Sequence, residues 1–191
     1  SARGIFLFSN SEITNLTNNG TISGSAGVDT GEGISLSRSE ITTLTNTGTI
    51  SGEAGNDTGQ GILISNASTI TTLTNDGTIS GTAGNDSGFG ISLFNNSEIT
   101  NLTNNDTISG TAGNDFGFGI FLNNSEITTL TNNGTITGTA GNDSGRGINL
   151  SSNSTITTLT NTGTITGTAV TNAFDIRIDA TSNLTNFNNL Q

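Results

Sequence analysis

Residues 61–89 read GILISNASTITTLTNDGTISGTAGNDSGF, and residues 90–118 repeat them as GISLFNNSEITNLTNNDTISGTAGNDFGF. The same unit of 28–29 residues recurs outward in both directions at 4–32, 33–60, 119–146 and 147–174, with a degraded copy at 175–191. A period this regular is the mark of a solenoid. Each copy carries three short apolar segments separated by Gly, Asn and Asp clusters, so each copy is read as one three-stranded coil. The expected fold class is all-β, a single domain over 1–191 forming a three-faced parallel β-helix.

Aligning the copies puts Ile13, Ile41, Ile70, Ile99, Ile127, Ile156 and Leu184 in one column. Three positions on stand Leu16, Leu44, Leu73, Leu102, Leu130, Leu159 and Phe187. A second segment supplies Ile22, Ile50, Ile79, Ile108, Ile136 and Ile165, and the remaining one alternates as Ile34-Ser35-Leu36 or Ile91-Ser92-Leu93. Period-two alternation sends both aliphatics of that strand to one face, and these columns are the expected core. Copies two and five are one residue shorter before Ser39 and Ser125, which predicts a corner there. A handful of aliphatic side chains cannot offset the entropy of ordering a whole coil, so the units must stack to fold.

Two polar columns are expected to serve the bends. Asn18, Asn46, Asn75, Asn104, Asn132, Asn161 and Asn189 suit a stacked amide ladder. Gly20, Gly48, Gly77, Gly134 and Gly163, two places later, are expected to give the turn a positive φ, with Asp106 in that position in copy four.

Composition narrows the chemistry. The chain has no Cys, Pro, Met, Trp, Tyr, His or Lys; its cations are Arg3, Arg38, Arg146 and Arg177, and its net charge is −11. Without His, Cys or Lys the usual general bases, thiolate ligands and Schiff-base amines are missing, so no enzymatic activity and no catalytic residue is expected. So few cations disfavour nucleic acid and anionic membranes as partners. No apolar run approaches the ~20 residues of a membrane span, and direct membrane insertion is not expected.

The stretches Asn18–Gly24 and Asn46–Gly52, of the form N-x-G-T-I-S-G, together with repeated I-T-T-L-T, resemble passenger regions of autotransporter and related type V secreted proteins over essentially the whole chain. The resemblance implies a right-handed parallel β-helix displayed outside a Gram-negative cell as an adhesin or stalk. It implies an extracellular or cell-surface, bacterial location, with a host surface or polysaccharide as ligand.

The loops Ala54–Gly59, Ala83–Gly88, Ala112–Gly117 and Ala140–Gly145, A-G-N-D-x-G, resemble in part the calcium-binding RTX repeats, which carry G-G-x-G-x-D. They differ in having one such element per coil and Gly where an apolar residue follows the Asp. Stacking would align Asp29, Asp57, Asp86, Asp115 and Asp143, and carboxylates ~4.8 Å apart repel by about 1 kcal/mol in water. Either the loops splay or a cation such as Ca²⁺ intervenes; an Asp capping its own loop is the alternative. No other cofactor is expected. A second acidic column, Glu12, Glu40, Glu98 and Glu126, is interrupted by Thr69 and Thr155. Paired carboxylates can serve glycoside hydrolysis, which makes a polysaccharide-acting enzyme the distant alternative, but repeated identical positions argue for a solvated face.

The segments from Thr21-Ile22-Ser23 to Thr164-Ile165-Thr166 should bury the Ile and turn the hydroxyls outward. Such arrays resemble those of β-solenoid antifreeze proteins, so ice binding is the rival function; β-propensity on an exposed sheet explains the same residues. The aromatics are the least repetitive feature. Phe89, Phe94, Phe116, Phe118 and Phe121 fall in neighbouring copies and, with inward places taken by Ile and Leu, are expected to form an outward apolar patch for a partner or another copy. The N-x-[ST] triplets, such as Asn15-Leu16-Thr17, are those expected of an Asn- and Thr-rich chain. Both ends of the sequence stop within the repeat, so end-to-end stacking through Ile5, Leu184 and Phe187 is expected. The leading reading is a non-catalytic adhesin stalk or self-stacking filament subunit.

Overall fold

The computed structural model describes residues 1–190, and these form an all-β solenoid of three parallel sheets. Sheet A has seven strands, from Ala2–Phe8 to Asn172–Ile178; sheet B has seven, from Glu12–Asn18 to Asn183–Asn189; sheet C has six, from Thr21–Ala26 to Thr164–Thr168. The chain visits A, B and C in turn, and each strand pairs with its equivalent one coil away. Ile62 thus faces Ile91, which faces Ile120. The expected three-faced parallel β-helix with a repeat of about 29 residues is what the chain forms.

One coil supplies Ile62 and Ile64 from sheet A, Ile70 and Leu73 from sheet B and Ile79 from sheet C, all fully buried. The three-residue spacing of Ile70 and Leu73 does not fit a straight strand, whose side chains alternate faces. Thr71 drops out of the pairing register between Ile70 and Thr72, and the strand bends there to turn both residues inward. Sheet A bends in the opposite sense at Gly61, which is skipped between Gln60 and Ile62, so that Gln60 and Leu63 both turn outward.

Gly61 is also needed for space: a Cβ there would lie 2.6 Å from the Gly90 carbonyl oxygen and 2.8 Å from Ile79 Cγ2. A Cβ on Gly81 in sheet C would overlap the carbonyl oxygens of Phe89 and Gly59 in sheet A. Sheets A and C therefore meet backbone to backbone along one side, and the aliphatic core tapers towards it.

The role expected of the turn glycines is corrected. No glycine has a positive φ. A Cβ on Gly77 would instead overlap the Gly48 carbonyl oxygen one coil away, so the missing side chain lets successive turns stack. The left-handed residues lie at the corner between sheets A and B. Longer corners carry two, such as Asn66 and Ala67 or Asn95 and Asn96, and the shorter ones carry only Arg38 or Asn124. The length variation in the sequence is thus one left-handed residue at the expected corner.

Side-chain ladders hold two of the bends. Asn46 Nδ2 donates to Asn75 Oδ1 at 2.8 Å, Asn75 to Asn104 at 2.8 Å, and the series runs on to Asn161 and Asn189 at 2.9 Å. Asn75 Nδ2 also donates to the carbonyl oxygens of Gly77 at 2.7 Å and Thr107 at 3.0 Å, so the amide serves buried backbone acceptors as well. At the corner from A to B a second ladder uses serine. Ser68 Oγ donates to the Ser65 carbonyl oxygen at 2.6 Å and accepts from the Ser39 N–H at 3.1 Å.

Candidate functional site

The outer face of sheet A is where the repeat breaks its own pattern. Phe89 sits between Gly88 and Gly90, whose Cα positions face sheet C, and therefore points away from the core. Phe121 points outward between the buried Ile120 and Leu122, and Phe94 follows the buried Leu93. One outward column reads Arg3, Glu32, Gln60, Phe89, Phe118, Arg146, Phe174, and the next reads Phe6, Ser35, Leu63, Ser92, Phe121, Asn149, Arg177. Apart from Phe187, every phenylalanine lies on strands of this sheet, as do three of the four arginines.

The bend at the unpaired glycine makes this outer face concave. Residues three apart, which would diverge on a flat strand, converge across it: Phe118 and Phe121 have ring centroids 5.5 Å apart, and Arg146 Nη1 donates to Asn149 Oδ1 at 3.2 Å. Ser92 Oγ donates to Gln60 Oε1 across the same bend. The result is a shallow trough along the rod in which outward residues are covered by their neighbours; Glu32, Gln60, Ser92 and Asn149 are all buried.

The five expected patch aromatics come together there. Phe89 lies 5.5 Å from Phe118 and 5.3 Å from Phe121; Phe121 packs edge-on to Phe94 at 5.3 Å, and Phe118 lies 6.0 Å from Phe116. Phe89 and Phe118 are buried by the others, Phe94 and Phe121 are half-buried, and Phe116 is exposed. All five rings belong to strands of sheet A.

Arginines mark both ends of the trough in different ways. Arg3 pairs with Glu32 in the next coil and lies over the Phe6 ring at 4.2 Å. Arg146 lies over Phe118 at 4.9 Å and has Phe118 and Phe174 as its neighbours in the column. Arg177 Nη1 donates to the same Asn149 Oδ1 that Arg146 uses, at 3.3 Å. Among the described residues neither forms an ion pair. Arg146 Nε is buried without a hydrogen-bond partner. Burial first, and Arg177 second, push the Arg146 guanidinium down to about 10. Sequence reasoning missed this pair, because two arginines far apart in sequence, in a sparsely cationic chain, gave no local motif; the alignment of columns would have put them on one face.

The other candidate residues are spread over the rod. Asp29, Asp57, Asp86, Asp115 and Asp143 lie in the loops leading from sheet C to sheet A. These loops stack without splaying: Asp86 N donates to the Asn56 carbonyl oxygen at 2.9 Å, and Phe116 N to that of Asp86 at 2.9 Å. Of the alternatives the sequence left open, splaying is not what these loops do; the neighbouring amides turn to the carboxylates, Asn56 to Asp57 at 2.8 Å and Asn85 to Asp86 at 2.7 Å. Glu12, Glu40, Glu98 and Glu126 form the expected column on sheet B, where Glu98 Oε1 accepts from Thr100 Oγ1 at 2.9 Å. The hydroxyl arrays are in register on sheet C, with Thr78, Thr107 and Thr135 aligned, and an unexpected one runs along sheet B through Thr74, Thr103 and Thr131. Ile5 and Leu184 pack partly buried against the core from its two ends, and Phe187 is exposed in the column of Leu159.

Protein-family models, curated proteins and solved structures gave no match to this chain. Fold and trough define it as a parallel β-solenoid repeat protein with one differentiated face.

Proposed function

We propose that the chain is a non-catalytic adhesive β-solenoid, a rod that holds a binding face away from a cell surface, and that the sheet A trough is that face. The observation behind this reading is the confinement of nearly all aromatic and cationic side chains to one side of an otherwise uniform rod. Aromatic and arginine side chains are those that concentrate binding energy at protein surfaces. The likeness of the N-x-G-T-I-S-G units to autotransporter-type passengers supports an extracellular, bacterial setting. The coil register also supports a filament role: another coil of the same pattern, from this chain or a second copy, would continue the Ile5 or Leu184 columns.

The test is adhesion. Beads coated with the chain are passed over surfaces carrying a panel of neutral and acidic polysaccharides and matrix proteins. Retention on at least one surface, lost when Phe94, Phe116 and Phe121 are replaced by Ser, supports the reading. Retention on none, or retention unaffected by the triple substitution, overturns it.

Ice binding is a second reading, favoured by the in-register hydroxyl columns on sheets B and C. Thermal hysteresis that falls on Thr103→Val would support it, and freezing behaviour indistinguishable from an inert protein would exclude it.

A further inference from the structure

The trough contains a charge imbalance that its own residues leave unanswered. Arg146 and Arg177 stand in successive coils and share one neutral acceptor, Asn149 Oδ1. In the column of Arg146, the arginine of the first coil meets Glu32, whereas Arg146 meets only aromatic rings along the rod. A chain of net charge −11 has carboxylates to spare, yet none of those described pairs with either guanidinium. Arg146 Nε has lost its water without gaining an acceptor, and an unmet buried donor of this kind disfavours the empty site. The depressed guanidinium pKa of Arg146, about 10, has the same origin: a cation partly desolvated beside another cation.

Resting on the adhesive reading, we infer that this end of the trough binds a carboxylate-bearing sugar, a hexuronic acid unit of a polysaccharide, through Arg146 and Arg177. A planar carboxylate matches the guanidinium fork and supplies the missing charge. The surroundings fit a sugar ring. Phe174, exposed, and Phe121, half-buried, offer apolar faces next to Arg146 and Asn149. Ser144 and Asn149, both buried, accept hydrogen bonds from Arg146 and hold its guanidinium in the trough. The trough continues along the rod past Phe121 and Phe94, whose half-buried rings offer further apolar faces to a linear chain.

Binding of a galacturonic acid oligomer to the full chain is measured by calorimetry at low salt, beside the neutral galactose oligomer, an oligoglutamate and sodium acetate. The galacturonate oligomer is expected to bind at least tenfold more tightly than the other three. Arg177→Gln and Phe174→Ser are each expected to weaken it about tenfold, Arg177→Lys by less, and Arg38→Gln, at the corner, not at all. Melting curves of the variants establish that each is folded. Equal binding of the neutral oligomer, equal binding of oligoglutamate, absence of binding, or indifference to Arg177→Gln in a folded variant would each overturn the inference. Bead retention that depends on the phenylalanines but not on sugar charge would overturn the uronate site and leave the adhesive reading standing; loss of both would remove both.

Discussion

Asn75 donates its side-chain amide to Asn104 Oδ1 at 2.8 Å inside a stack in which both residues are fully buried. Its own Oδ1 accepts from Asn46. Asn75→Ala therefore leaves Asn104 Oδ1 and the Gly77 and Thr107 carbonyl oxygens without the amide that donates to them, while Asn46 keeps only its backbone acceptors. A loss of about 1–3 kcal/mol is expected, with a larger loss for Asn75→Asp, which adds a buried charge. Urea unfolding measures both; a wild-type midpoint for the alanine variant would remove the ladder from the account of stability.

Gly20 and Gly77 occupy the same turn position in different coils, but a Cβ on Gly20 meets nothing within 4 Å while one on Gly77 overlaps the Gly48 carbonyl oxygen. Gly20→Ala is expected to be neutral or to stabilise by about 0.4–1 kcal/mol through the unfolded chain. Gly77→Ala is expected to destabilise by about 1–3 kcal/mol through crowding. Equal costs at both positions would point back to a backbone requirement for glycine and against axial stacking.

Ala67 is exposed with φ at 59°, a conformation that a Cβ opposes. Ala67→Gly relieves that opposition and adds backbone entropy to the unfolded state, leaving a net gain of about 0.5–1 kcal/mol. A lower melting temperature for this variant would contradict the left-handed corner.

Asp179 Oδ2 accepts from the Ser152 N–H at 2.8 Å, while Oδ1 accepts from Thr181 N at 3.0 Å and Thr181 Oγ1 at 2.9 Å. The Ser152 N–H, and after it the Ser182 hydroxyl, hold the carboxyl well below its ordinary value of 3.8. A folded-state pKa below the unfolded one contributes stability that is present above 3.8 and is lost as the pH falls towards the folded value. The melting difference between the wild type and Asp179→Asn should stay constant from neutral pH to about 5 and shrink on further acidification. A difference that grows in acid would reverse the assignment.

Asp86 already accepts from Asn85 at 2.7 Å. A chelator at low salt is therefore expected to leave the melting temperature unchanged. A fall that calcium restores, and that Asp86→Asn reduces, would instead assign calcium to the loops from sheet C to sheet A.

The core and the asparagine ladder were legible because stacking demands the same residue at the same place in every coil, so Ile70 and Asn75 identify themselves by recurrence. The serine ladder recurs equally, but a Ser such as Ser68 at a corner reads as a turn residue until its hydroxyl is seen capping Ser65. The turn glycines misled for a related reason: sequence reasoning weighs φ along one chain, whereas Gly77 answers to a carbonyl in the next turn. The five phenylalanines were found as a patch, but its concavity was hidden. Nothing in Gln60-Gly61-Ile62 announces that Gly61 leaves the ladder, and period-two logic puts Gln60 and Leu63 on opposite faces of the strand, whereas the bend turns both outward.

That bend gives the rod something like a type-setter's forme. Each coil offers outward sites on either side of its skipped glycine that neither the core nor the ladders constrain, and Phe118 and Phe121 in one coil become Arg146 and Asn149 in the next without a change in backbone register. Duplication or deletion of a whole coil would slide one segment of the inscription against another while every Ile, Asn and Ser column stayed in line. New recognition surfaces could thus be composed by recombining existing coils, with no new fold to be invented and no packing problem to be solved again.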